Sequence, residues 1–333
     1  MNNSQDLHLR SISQSLKFPT QVASRPIKIL LICDNTASGY YRMMAPVVLL
    51  SRTGLIEYRT EPDNIDWADI VFWQRPSGDP EKIRSLVSSP SKKLIIELDD
   101  HYFASENGVQ ASHWTEERKR NLMDIAGLSH AILVSTPGLD KWWSDRNFST
   151  TYIPHHIDAT NSRWKVKCEK SPKTIGWFGG DSHIKDLELI HPNRQYENNI
   201  VIAGYEPEWA KTSPYVEYRP AVSLSNEANL YCDFEVGLVP LEDTEFNRVG
   251  KSDLKFLQYT MIGALTCASP VGMYQDLGNK VIQSTNLLND AEEVFNTPTL
   301  FKKRLKRAQD YVLSKRTLYS GAHKWYDMFY KVL

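Results

Sequence analysis

Lys251, Lys255 and Gln258 stand at i, i+4 and i+7 in the stretch Phe246-Asn247-Arg248-Val249-Gly250-Lys251-Ser252-Asp253-Leu254-Lys255-Phe256-Leu257-Gln258-Tyr259. On an α-helix that spacing places all three on one face. Ser252 or a neighbour can cap such a helix, and Leu254, Leu257 and Met261 supply its apolar stripe. Backbone N–H groups, the helix dipole and two ammonium groups would then converge at the helix start, with Arg248 and Ser252 as flanking contacts. The chemistry this suits is fixed positive charge where negative charge develops, as on a departing diphosphate. A solvated lysine face is the ordinary alternative. The strands and loops on both sides favour the anion site.

Those strands come in two series. In the first, Ile27-Lys28-Ile29-Leu30-Leu31-Ile32-Cys33 is a short continuous apolar run of the kind buried on both faces of a parallel sheet. Asp69-Ile70-Val71-Phe72-Trp73, Lys93-Leu94-Ile95-Ile96-Glu97-Leu98 and His130-Ala131-Ile132-Leu133-Val134-Ser135 continue it, with helical patterns between. Tyr152-Ile153-Pro154-His155-His156 closes this half, and residues 159–172 read as a linker. Strands at 174–178, 199–204, 235–239 and 264–268 form the second series, followed by a helical tail from about residue 291. Such alternation predicts doubly wound α/β sheets. At 333 residues, two domains are expected. The divisions are a flexible arm at 1–25, a first domain at 26–160, a second at 161–310 and a terminal helix at 311–333.

In open α/β sheets, ligands sit beyond the carboxyl ends of the strands. Three loops there carry chemistry: Ser38-Gly39-Tyr40-Tyr41-Arg42, Asp99-Asp100-His101 and Gly179-Gly180-Asp181-Ser182-His183. Arg42 is read as an anion contact and His183 as a residue of the loop that follows the first strand of the second series. No G-x-G-x-x-G follows a strand, which sets aside a dinucleotide oxidoreductase. Val249-Gly250-Lys251-Ser252 ends like a P-loop but lacks the earlier glycine. Asp99-Asp100 is not read as a D-x-D metal motif, because the fold that uses one has a single sheet domain and a second α/β series is present here. His155-His156, near the crossing between the halves, suit packing or hinge duty.

Composition narrows the partners. Lysine plus arginine (39) nearly equals aspartate plus glutamate (40), so no whole-molecule attraction to nucleic acid is expected. The run Lys302-Lys303-Arg304-Leu305-Lys306-Arg307 is a solvated helix face, or a peripheral contact with an anionic membrane. Cys33, Cys168, Cys232 and Cys267 are widely spaced and read as reduced thiols rather than a disulfide framework or a zinc site. With no signal-like or spanning apolar run, a cytoplasmic protein is expected, with peripheral contact at the inner membrane surface left open.

The segment from Asp233 to Tyr274 resembles the group-1, family 4-like glycosyltransferases of GT-B fold. The likeness rests on Phe246-Asn247, Lys251-Ser252-Asp253-Leu254-Lys255-Phe256-Leu257-Gln258-Tyr259, Gly263, Ala268-Ser269-Pro270 and Tyr274. Gly39-Tyr40-Tyr41-Arg42 with Pro46, Leu98-Asp99-Asp100, and Ile175-Gly176-Trp177-Phe178-Gly179-Gly180 with Asp186-Leu187 extend it over roughly residues 27–333. The resemblance implies two Rossmann-like domains facing a cleft, with the last helix crossing back to the first. It implies a nucleotide-sugar donor whose diphosphate is held by Lys251 and Lys255, bordered by Gly179, Gly180 and Ser182, with Lys185 as another phosphate contact. Across the cleft, Asp99, Asp100 and His101 would position the acceptor or the sugar. No cofactor or bound metal is required.

One departure stands out. Gly250 and Gln258 occupy the positions where family members usually carry glutamates spaced E-x7-E, the second contacting the ribose. Gln258 can hydrogen-bond a hydroxyl but offers one acceptor oxygen where an anionic carboxylate offers two. The reading is therefore a glycosyltransferase, with a cell-envelope polysaccharide or glycolipid as leading acceptor. A modified DNA base as acceptor, or a non-catalytic nucleotide-sugar-binding protein, are the alternatives.

Overall fold

The computed structural model describes residues 16–76, 78–87, 89, 91–104, 112–166, 173–192 and 194–333. Two six-stranded sheets organise them. In the first, β1 (Ile27–Ile32), β2 (Ile56–Arg59), β3 (Ile70–Gln74), β4 (Lys93–Leu98), β5 (Ala131–Val134) and β6 (Thr150–Tyr152) lie in the order 2-1-3-4-5-6. Every pairing is parallel, with Ile29 opposite Ile70 and Phe72 opposite Ile95. The second sheet holds β7 (Thr174–Gly179), β8 (Asn199–Gly204), β9 (Val216–Pro220), β10 (Val236–Val239), β11 (Leu265–Ala268) and β12 (Ile282–Gln283), in the order 12-11-10-7-8-9. It too is wholly parallel. The apolar runs became central strands because helices cover both of their faces.

Helices α1 (Ala45–Arg52), α2 (Pro80–Leu86), α3 (Glu116–Leu128) and α4 (Pro137–Ser144) flank the first sheet. α2, α3 and α4 start where Asp79, Thr115 and Thr136 accept hydrogen bonds from first-turn N–H groups. The second lobe carries α5 (Glu208–Thr212), α6 (Leu254–Met261), α7 (Leu287–Glu293) and the long α8 (Pro298–Lys315). The last helix, α9 (His323–Val332), returns to the first lobe, where Trp325, Tyr326 and Phe329 pack among Ile27, Ile29 and Phe72.

The return path is paired with the outward one. Ile157 donates its N–H to the Arg316 carbonyl (2.8 Å) and accepts from the Leu318 N–H (2.9 Å). Arg316 also grips both oxygens of Asp253 (2.6 and 2.7 Å) and donates to the His155 carbonyl (2.9 Å). The two crossings and the start of α6 are thus one buried unit. Of the expected N-terminal arm, residues 1–15 lie outside the described residues. In the remainder, Lys17 donates to the Tyr319 carbonyl, Ala23 to the Tyr326 hydroxyl, and Arg25 pairs with Asp69.

The cysteine reading needs correction. Cys232 is disulfide-bonded, while Cys33 and Cys267 are free and Cys168 lies outside the described residues. Spacing along the chain does not report which thiols meet in space. Among the described residues, no helix is long and apolar enough to cross a membrane.

Candidate functional site

Each sheet reverses its winding at one place: between β1 and β3 in the first lobe, between β7 and β10 in the second. Loops diverge there and leave a crevice. In the second lobe, β7 runs into Gly179, where a Cβ would lie 2.7 Å from the Trp177 ring and 3.1 Å from the Lys255 ammonium. Glycine at 179 therefore lets Lys255 reach the strand end. Gly180 opens onto free space, and a tight turn, Asp181–His183, follows.

From the other side, the loop after β10 passes through a π-helical turn, Phe246–Gly250. Lys251 follows in extended backbone, and α6 begins only at Leu254. The two lysines thus approach from different backbone, not from one helical face. The cap also differs from expectation. Asp253 sits at the N-cap position, but its carboxylate is taken by Arg316 rather than by the helix N–H groups.

The Lys255 ammonium lies between the rings of Trp177 and Phe178, 5.6 Å from each centroid, and 3.3 Å from His183 Nε2. Among the described residues, no carboxylate stands within ion-pair distance of it; Asp186, Glu227 and Asp100 act only at longer range. Burial, reinforced by the Lys251 charge, lowers its pKa to about 8. His183 is brought down to about 3 by burial and by Lys255, so it is neutral at physiological pH. Its Nδ1 lies 2.8 Å from Asp186, whose other oxygen accepts from the Glu242 N–H and the Asn247 amide, both at 2.9 Å.

The first-lobe crevice is built around Asp99. Thr36 caps the short turn at Ala37–Gly39, and at Gly39 a side chain would run into the Asp34 carbonyl. The Gln74 amide donates to Asp34 (3.2 Å) while its oxygen accepts from the Gly39 N–H (3.2 Å). Arg75, in left-handed backbone (φ 46°), links Asp34 to Asp99. Burial alone would push the Asp99 carboxyl up, but Arg75, Tyr102 and Ser38 together hold it below the ordinary range.

The lobes meet at a narrow seam. Lys251 Nζ stands 3.2 Å from Asp100, and His101 Nε2 stands 3.4 Å from Glu245. Thr136 donates its hydroxyl to the Val249 carbonyl (2.5 Å). Any Cβ at Gly250 would lie 2.5 Å from the His101 nitrogen, so this glycine is what admits the first lobe. Asp100, His101, Lys251 and Lys255 are therefore gathered at one place, with Ser182 half-buried and Gly179 and Gly180 along the edge.

Arg42 is fully buried beneath the sheet, bound to Glu97 (2.8 Å) and to the Ile153 carbonyl, with Trp325 against it. It cannot touch a ligand; Glu97, an acid in a strand buried on both faces, requires it as a partner. Gln258 is 1% exposed and donates to Glu227 (2.9 Å); it shares a face of α6 with Lys255, whereas Lys251 lies outside the helix. Arg248 is exposed and paired with Asp243 (2.7 Å), Lys185 is exposed, and Ser252 is half-buried next to Lys251.

Arg75, Asp186 and Glu227 were missed as site residues. Asp186 carried a signal, three residues after His183. Arg75 at a strand end carried only its position. Burial raises Glu227 to about 7 against Arg163 and Lys255, but its partner Gln258 is distant in sequence and no local pattern marks it.

No family model matches the chain, and no curated protein matches it in sequence. Solved structures do. A sucrose-phosphate synthase from Thermosynechococcus elongatus superposes with a TM-score of 0.66 at 11% identity, over 92% of this chain and 99% of that one. The chain has the GT-B fold. Anabaena HepE in complex with UDP and glucose shares it (TM-score 0.60, 11% identity, 92% and 100% coverage). So does an alpha-glucosyltransferase in complex with UDP and a 13-mer DNA containing an HMU base (0.63, 9%, 92% and 100%). In GT-B terms, the two switch-point crevices described above face one another across the seam.

Proposed function

We propose that this GT-B protein transfers a sugar from a nucleotide-sugar donor to an acceptor hydroxyl. The observation that carries the reading is the half-buried Lys255 ammonium at the second-lobe crevice, which among the described residues has a neutral imidazole as its one hydrogen-bond partner. A partly desolvated cation with no carboxylate at ion-pair distance among the described residues is costly, and a diphosphate placed against Gly179, Gly180 and Ser182 relieves that cost. Lys251 supplies the second charge.

In the transfer, the bond between the sugar's anomeric carbon and the distal phosphate oxygen breaks, and its electron pair stays on that oxygen. The two ammonium groups stabilise the developing charge. The acceptor oxygen bonds to the anomeric carbon and gives up its proton. Asp100 and His101, the latter held below its ordinary pKa by burial, are the candidate acceptors for that proton. Seam closure supplies orientation. With two lysines in this role, turnover is expected to survive chelation of divalent ions.

A cell-envelope glycan or glycolipid is the acceptor favoured by the near-neutral net charge. Exposed Lys302, Lys303, Lys306 and Arg307 on α8 would then face an anionic inner-membrane surface. A modified DNA base is the second reading, supported by the fold shared with the DNA-bound glucosyltransferase. A thermal-shift screen over UDP-, GDP-, ADP- and CMP-sugars tests the donor assignment, and no shift with any of them contradicts it. Duplex-DNA binding titrated against salt separates the acceptors: no binding at low salt removes the second reading.

A further inference from the structure

We infer that Asp186 is a positioning residue for both phosphate-facing lysines, acting on Lys255 through His183 and on Lys251 through Asn247. This rests on the donor-site reading above and names a residue outside the lysine pair.

The geometry fixes the direction of every hydrogen bond. An ionised carboxylate only accepts, so the contact from Asp186 Oδ2 to His183 Nδ1 (2.8 Å) places the imidazole proton on Nδ1. His183 Nε2 then carries a lone pair, which accepts from the Lys255 ammonium 3.3 Å away. The imidazole therefore adds no positive charge; it aims one. The Trp177 ring stands edge-on to it (6.1 Å) and limits its rotation.

The opposite oxygen of Asp186 holds the other lysine's support. It accepts from the Glu242 N–H and from Asn247 Nδ2, and the same amide nitrogen donates to the Glu242 carbonyl (3.0 Å). Asn247 opens the last turn before Lys251, whose own N–H bonds back to the Asn247 carbonyl (3.3 Å). One carboxylate thus ties the loop after β7 to the loop after β10. Outer-shell partners of metal ligands are commonly worth about 10- to 100-fold in affinity, and the lower end of that range is the effect expected here.

Inorganic pyrophosphate is the probe, measured by calorimetry on wild type, Asp186→Asn, Lys255→Met and the double variant, alongside the imidazole 15N spectrum of His183. The spectrum is expected to show a proton on Nδ1 in wild type; a proton on Nε2 overturns the inference, whatever binds. Asp186→Asn is expected to weaken pyrophosphate ~10-fold in wild type and clearly less in the Lys255→Met background, since half of its route is then gone. Equal losses in both backgrounds overturn it. If Asp186→Asn does not fold, His183→Gln, which keeps an acceptor, should stay within ~3-fold of wild type while His183→Leu loses ~10-fold. Equal values for those two also overturn it. Failure of wild type itself to bind pyrophosphate counts against the donor-site reading, leaving the spectrum to judge the relay.

Discussion

The Asp100 carboxylate of the first lobe stands 3.2 Å from the Lys251 ammonium of the second, with both side chains mostly buried. A diphosphate needs that same ammonium, so ligand and carboxylate compete for it. Asp100→Ala should therefore tighten pyrophosphate binding about 5-fold, the equivalent of an ion pair worth about 1 kcal/mol. Sugar transfer should fall in the same variant, because the acceptor side of the seam loses its anion. Calorimetry and a transfer assay on one preparation check both; weaker pyrophosphate binding contradicts the competition.

Anion binding should depend on pH through Lys255. Its pKa is lowered to about 8 by burial and by Lys251, so the free protein loses this charge as pH rises past 8. A bound anion favours the charged form and raises that pKa. Binding near pH 8 should accordingly take up a proton, and affinity should decline above it. Titrations in two buffers of different ionisation enthalpy measure the uptake; proton release contradicts the assignment. His183, at about 3, stays neutral across this range and contributes no such step.

Arg42→Ala should act on stability and not on the site. It leaves Glu97 buried without its partner, a change expected to cost about 3–5 kcal/mol. Denaturant unfolding measures this, and the fraction that remains folded should bind pyrophosphate as wild type does. An affinity loss in stable, folded protein contradicts the placement of Arg42 beneath the sheet.

At Gly250 the smallest side chain already meets the His101 backbone. Gly250→Ala should hold the seam open, lowering transfer ~10-fold or more while sparing pyrophosphate binding in the second lobe. Gly250→Glu, which installs the acid usual in the resembling family, should do worse rather than better. Gain of activity in that variant contradicts the close approach.

The sequence carried the sheets unevenly. β1, β3, β4, β5, β7, β8, β10 and β11 were legible because each is an apolar run buried on both faces. β2 (IEYR), β9 (VEYRP) and the two-residue β12 were not, because edge strands need only one covered side and keep their charges. Residue type pointed to Lys251 and Lys255, but their spacing misled as to one helical face, since the π-helical turn before Lys251 leaves no periodic signature. Arg42 was misplaced for a related reason. A second π-helical turn, Tyr40–Met44, turns it inward, and the clue lay 55 residues away in the lone glutamate of Lys93-Leu94-Ile95-Ile96-Glu97-Leu98. Seam contacts such as Asp100 with Lys251 depend on how two lobes dock, which no local pattern encodes.

The most direct measurement is release of nucleoside diphosphate from a panel of nucleotide sugars by wild type and Lys255→Met, a change that keeps the length of the side chain and removes its charge. Release by wild type, reduced ~100-fold or more in the variant with its fold intact by circular dichroism, is the predicted result. Equal release by the two proteins contradicts the account.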